Sequence, residues 1–267
     1  MEKSLIYVYC ILESPAKSSK TIEFNGLNSM MIDDFQVVFK SVCLNEFSEE
    51  NFKRNLSDLL WIETNAREHV EVIKWLMEEN SVIPFKFGTI YYSENTLRKF
   101  IEDYSDSLKE NFSEISGKEE WAVKIYCDRK SLSEQIDELS EEAAELEKQI
   151  MASSPGRGFL LKRKKNEFVE TEMTRICNKF GQEYYDEFRK LSTAKYLNNL
   201  LPKDYTGRED SMILNASFLV NKNMVNDFMN KGDILMKRDS NSGFSIEING
   251  PWPAFSFISI KENSNAE

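Results

Sequence analysis

The chain of 267 residues contains one histidine, His69, and that single count limits its chemistry. A serine or cysteine nucleophile served by an imidazole base would have to use it, and a site with several histidine ligands is ruled out. His69 lies on a stripe with Ala66, Val70, Ile73, Leu76 and Met77 at helical spacing. An imidazole on an apolar stripe reads as a buried, hydrogen-bonded structural group rather than a general base. Cys10, Cys43, Cys127 and Cys177 form no C-x-x-C pair, which argues against a zinc knuckle or a thioredoxin-type site. Most lie among apolar neighbours, as in "YVYCIL" and "VKIYCD", and read as buried free thiols suited to a reducing cytosol. With 45 acidic residues, adjacent carboxylates such as Asp33 and Asp34 arise by composition alone and do not point to acid–base catalysis. Neither G-x-G-x-x-G nor G-x-x-x-x-G-K-[ST] occurs. The residues therefore predict no catalytic centre, no metal and no cofactor.

Two stretches have the makings of interaction sites. "SPGRGFLLKRKK" presents Arg157, Lys162, Arg163, Lys164 and Lys165, a basic cluster able to meet an acidic partner or RNA. No strand precedes it, so a phosphate-cradling loop is a poorer reading than a turn between helices. The net charge is −11, and the acidic residues at 134–147 are placed to balance the cluster. A field of that sign argues against nucleic-acid binding and against anionic membranes. "NGPWPAFSFISI", 249–260, concentrates apolar surface near the end of the chain, with Trp252 and Phe255 as candidate contacts. Pro251 and Pro253 cannot donate ladder hydrogen bonds, so "GPWP" belongs at an edge, bulge or crossover. "AFSFISI" then reads as a closing core strand, with Phe255 and Phe257 on one face and Trp252 wedged near a domain junction.

The elements that must position these residues follow from periodicity. "SLIYVYCILES" reads as a buried first strand, too short to cross a bilayer and without an export cleavage site. "IDDFQVVFKSVCL" reads as one or two more strands, 48–80 as a helix, and "SVIPFKFGTIYY" as an extended segment that lies at an edge or breaks at Pro84. "SENTLRKFIEDYSDSLKENF" is an amphipathic helix. The polar "SEISGKEE" marks a boundary, giving an N-terminal α+β domain at 1–117 and a second domain at 118–267. In the second, Leu132, Ile136, Leu139, Ala143, Leu146 and Ile150 alternate spacings of four and three, the seam of one coiled-coil-like helix. Together with a helix at 159–191 it predicts an antiparallel hairpin across 131–191. The order strand, helices, strand, strand, helix, strand is that of a modified ferredoxin-like βαββαβ domain.

In order and spacing, "YVYCI", "HVEVIKWLMEENSVIPFKFGTI", "EEWAVKIY", "SPGRGFLLKRK", "NASFLV" and "NGPWPAFSF" make the chain resemble the gas vesicle protein F/L (GvpF/GvpL) family along nearly its whole length. Cys10 departs from the glycine usual there. The resemblance implies an α+β domain followed by a modified ferredoxin-type domain. It implies no enzyme, and instead an accessory or minor component of gas vesicle assembly, at the vesicle and cytoplasmic while assembly proceeds. Its expected partners are the hydrophobic main shell protein and other accessory vesicle proteins, reached through an edge strand or helix face. The competing readings are a ferredoxin-like regulatory module for a small ligand, an enzyme with a carboxylate site, or RNA binding at Lys162–Lys165.

Overall fold

The computed structural model describes residues 4–14, 26–239 and 242–261. It divides into two compact units, one made of residues 1–120 with 251 onward and one of 121–250.

The first unit is built on β1 (Ser4–Glu13), β2 (Leu27–Ile32) and β3 (Phe35–Cys43). Asp33 and Asp34 form the two-residue turn between β2 and β3, and Asp33 takes φ 49°, a left-handed conformation Asp tolerates in such turns. Three helices follow: α1 (Leu44–Phe47), α2 (Glu49–Asn55) and α3 (Leu59–Met77). The helix expected across 48–80 is thus interrupted. Asp58 accepts hydrogen bonds from the Leu60 and Trp61 amides and starts a new helix there. β4 (Val82–Pro84) and β5 (Ile90–Tyr91) both pair with β1, then α4 (Glu94–Asp103) and α5 (Ser105–Ile115) divide the predicted single helix at Tyr104. The sheet order is β2-β3-β1-β4, so Pro84 does lie at an edge.

β1 is central and covered on both faces, which accounts for its unbroken apolar run. Leu5, Tyr7 and Tyr9 join the core with Ile73 and Leu76 of α3, whereas Ile6 and Val8 join Leu97, Leu108 and Phe112 of α4 and α5. A bulge between Val8 and Cys10 breaks the alternation and turns Cys10 toward the α3 side.

The second unit runs β6 (Lys118–Cys127), α6 (Arg129–Glu134), α7 (Ile136–Leu139), α8 (Glu141–Met151), α9 (Pro155–Arg189), β7 (Ala194–Leu197), α10 (Lys203–Thr206), β8 (Ser211–Asn221), α11 (Val225–Arg238) and β9 (Phe244–Trp252). Its sheet order is β7-β8-β6-β9. The predicted continuous helix over 131–150 is three short ones. Ser140 stops α7 and its hydroxyl caps α8 by accepting from the Ala143 amide. The seam nonetheless packs inward: Leu132, Ile136 and Ala143 are buried with Met173, Ile176 and Cys177 of α9, and Leu146 is buried as well. α9 starts four residues earlier than expected, because Pro155 suits a first helical turn and the glycines of "PGRG" continue it.

The closing segment differs most from expectation. β9 ends at Trp252, on the edge of the second unit's sheet, and 253–260 is not a strand. Those residues pack within the first unit instead of finishing the second. Proline at 251 and 253 removes ladder donors, and side chains take over the pairing. Asn111 donates through Nδ2 to the Ser259 carbonyl at 2.9 Å and accepts from the Ser259 amide at 3.0 Å. The Ser107 hydroxyl donates to the same carbonyl and accepts from the Lys261 amide. Glu120, buried, accepts from the Ser256 amide at 2.9 Å and hydroxyl at 2.6 Å. Ala254 is buried in the core, with Ile258 and Ile260 packed against it.

Candidate functional site

The one histidine sits at the end of a closed hydrogen-bond chain. α3 holds it 1% exposed against β1. Nε2 lies 2.9 Å from the Phe85 carbonyl, which can only accept, so the proton is on Nε2. Nδ1 therefore accepts from the Tyr7 hydroxyl at 2.9 Å, and that oxygen accepts from the Gly88 amide. Tyr9 stacks on the ring at 5.4 Å. Gly88 has φ +81°, and a Cβ there would lie 2.4 Å from the Phe52 ring, so the turn admits glycine alone. Burial pushes the His69 pKa down and the Tyr7 and Tyr9 hydroxyls up. An imidazole whose two nitrogens are both engaged with its own fold is a structural clasp joining β1, α3 and the 85–88 turn.

A pH dependence follows. Unfolded, the imidazole binds a proton near pH 6.5; folded, it does so only at lower pH. Between those values the unfolded chain holds the extra proton, so stability falls as pH drops below about 6.5, by up to about 1.4 kcal/mol per pH unit. The imidazole of His69 should titrate by NMR with its midpoint below the ordinary histidine value of about 6.5. A midpoint near 6.5 would show an open, unclasped ring.

Beside this clasp, Tyr7, Tyr9, Lys40, Glu46, Phe47 and Glu68 border a cavity of about 230 Å³. Glu68 already accepts from Lys40 at 2.8 Å and from Tyr9 at 3.3 Å. Its polar groups answer one another, and the space is below the range of about 300–1,000 Å³ usual for small-ligand pockets. Among the described residues no group of three or more His, Cys, Asp or Glu side chains could hold a metal.

The sequence-predicted contact residues are not brought together in one place. Arg157, Lys162, Arg163 and Lys164 are exposed on the first turns of α9. Lys165 is different: its side chain is 13% exposed, with Nζ 2.7 Å from Asp137 and 2.8 Å from Glu147. That is the return of the basic run beside the acidic helices, and it makes Lys165 a brace of the hairpin. Arg163 pairs with Glu167 on its own helix. Trp252 is half-buried in the first unit under the Lys74 ammonium, 4.0 Å from the ring centre. Phe255 is 36% exposed and borders a cavity of about 410 Å³ with Phe85, Tyr91, Phe100, Tyr104 and Ile258.

A further surface was given no role by sequence reasoning. β7 is an edge strand, paired with β8 alone among the described strands. The Asn198 amide donates to the Asn215 carbonyl, which sets the alternation: the backbone groups of Tyr196 face β8, and those of Lys195 and Leu197 face outward. Tyr196, Leu197, Leu200 and Tyr205 are 52%, 58%, 54% and 80% exposed. The opposite edge, β9, carries Glu247 and Pro251, devices that discourage strand addition. The signal was present in "YLNNLLP", apolar residues in a segment too short to bury them, but only the strand order reveals that it lies at an open edge.

The family described as "Gas vesicle synthesis protein GvpL/GvpF" matches residues 5–259. The chain belongs to this family. It is 24% identical over 229 residues to "Gas vesicle protein L" of a Streptomyces sp., covering 86% of this chain and 82% of that one. It is 21% identical over 229 residues to "Gas vesicle protein F" of a Nostoc sp., covering 80% and 82%. The crystal structure of GvpF from an Anabaena sp. superposes with TM-score 0.67 at 19% identity, covering 99% of this chain and all of that one. GvpF from Microcystis aeruginosa gives 0.65 at 18%, covering 97% and 100%. The mixed helix-and-sheet architecture is therefore that of GvpF structures. The GvpL/GvpF match spans the His69 clasp, the α8–α9 hairpin and the β7 edge alike.

Proposed function

We propose that this GvpL/GvpF-family chain is a non-catalytic accessory or minor component of gas vesicle assembly that holds the hydrophobic main shell protein by adding one of its strands to the β7 edge. The family match over residues 5–259 carries the assignment to gas vesicles. The open edge supports the mode of binding: two outward-facing backbone positions at Lys195 and Leu197 offer main-chain hydrogen bonds, and the exposed Tyr196, Leu200 and Tyr205 offer apolar contact. The net charge of −11 keeps such a complex soluble. In this reading the protein acts in the cytoplasm during assembly and associates with the vesicle, and other accessory vesicle proteins are further partners. The second unit is a modified ferredoxin-like βαββαβ domain, a reading supported by the order β7-β8-β6-β9, with the α6–α9 section as its enlarged first helix.

The test uses Leu197→Pro. Its amide faces away from β8, so proline removes an outward donor and leaves the β7–β8 ladder in place. On co-expression the shell protein should be soluble and co-purify with the wild-type chain, with recovery at least about tenfold lower for the variant at unchanged thermal stability, a change of roughly 1.4 kcal/mol in binding. Shell protein left insoluble and absent from the wild-type eluate would refute the function. Equal recovery with both chains would refute the edge.

A further inference from the structure

The α8–α9 hairpin is divided in charge along its length. From Lys148 to Asn166 the chain holds six basic residues and no acidic one; from Glu134 to Glu147 it holds seven acidic residues and no basic one. The Lys165 brace to Asp137 and Glu147 fixes where the two zones meet, because it sets Glu147 level with Lys165 on the antiparallel helix. Outward of that level lie the exposed Arg157, Lys162 and Lys164, together with Met151, Phe159 and Leu160, which are 77%, 72% and 67% exposed. Inward of it lie the exposed Glu138, Glu141, Glu142 and Glu145. Lys165, Asp137 and Glu147 are engaged with one another, so the outer charges are what the hairpin offers to solvent.

We infer that two copies of this chain associate through their hairpins, the basic, apolar tip of each lying along the acidic neck of the other. A two-fold axis at the level of the Lys165 brace sets tip on neck twice, and an isologous contact needs this kind of self-complementary surface. Attraction between zones of opposite sign would orient the encounter, and the three exposed apolar side chains at each tip would be covered on contact. An acidic segment of another protein would answer the tip alone; a second copy answers tip and neck together. The inference does not depend on β7 or on the shell protein.

Sedimentation of the full chain tests it. Two charge-reversed chains are made, a tip variant with Arg157→Glu, Lys162→Glu, Arg163→Glu and Lys164→Glu and a neck variant with Glu138→Lys, Glu141→Lys, Glu142→Lys and Glu145→Lys, each checked for native helicity by circular dichroism. The wild type should dimerise in about 20 mM salt and dissociate at about 500 mM, where the screening length falls from roughly 20 Å to about 4 Å. Each variant alone should be monomeric, since its tip and neck now repel. An equimolar mixture should restore the dimer, because both contacts of the mixed pair again join opposite signs. A wild-type chain that stays monomeric in low salt overturns the inference, whether or not its tip adsorbs to phosphatidylserine vesicles or binds a polyglutamate peptide. So does a dimer that survives either reversal, or a mixture that stays monomeric while both variants remain folded.

Discussion

A chain ended at Gly250 is expected to lose the cooperative fold of its first unit while keeping that of its second. The truncation removes Ala254 from the core along with the packed Ile258 and Ile260, and it removes both backbone partners of Asn111 at Ser259. It also takes the two hydrogen bonds that Ser256 donates to the buried Glu120. Hydrogen bonds to a buried charged group are worth about 1.5–3 kcal/mol each, and the partly buried Ile258 and Ile260 each add a share of the roughly 1.5–3 kcal/mol that full burial of the side chain brings. The sum, on the order of 5 kcal/mol or above, rivals the whole stability of an ordinary domain. Hydrogen exchange is the measurement: amides of β1 and β3 should exchange orders of magnitude faster than in the full chain, and those of β8 should hold their protection. Asn111→Asp makes the same point without deletion. It keeps the shape but turns the Nδ2 donor into an acceptor facing the Ser107 and Ser259 carbonyls. Unchanged protection of β1 in both chains would mean that the segment decorates a unit already complete.

The complementary loss is Phe188→Ala. Phe188 is fully buried on α9, with its ring 4.9 Å from Phe228 of α11 and 5.9 Å from Phe218 of β8. It joins the long helix, the central sheet and the last helix of the second unit in one aromatic cluster. Removing a buried phenyl leaves a cavity as well as lost transfer energy, at a cost of about 3–5 kcal/mol. Denaturant unfolding followed by β8 exchange should show that drop. A change under about 1 kcal/mol would mean that the cluster closes over the gap. If shell-protein binding resides at β7, this variant should also bind less well, because β7 hangs on β8.

Much of this architecture was legible in one dimension. The unbroken apolar run of β1 announced a buried strand, and Pro84 announced an edge or a break. The stripe through His69 placed the imidazole inside, and the opposed charges of 134–147 and 162–165 anticipated the Lys165 brace. Helix ends were less legible. Asp58 and Ser140 interrupt patterns whose apolar spacing continues past them, because hydrophobic periodicity does not register a side chain that caps the backbone, and at Tyr104 the break lies in the backbone itself, at φ −110° and ψ 12°. "AFSFISI" misled for a related reason: its alternation fits a strand, and the hydrogen bonds that would make it one are supplied instead by Asn111, Ser107 and Glu120, up to 154 residues away.

The sequence by itself determined the local and compositional facts: a single imidazole, scattered thiols, an anionic chain, much of the element order, and the motifs that mark the GvpL/GvpF family. Those depend on residue type and short-range spacing. Only the tertiary structure decided that β7 ends its sheet, which unit receives the last residues, and which apolar side chains remain outside. These are questions of long-range pairing, and a strand's free edge is defined by the neighbour it lacks, which no spacing along the chain can record.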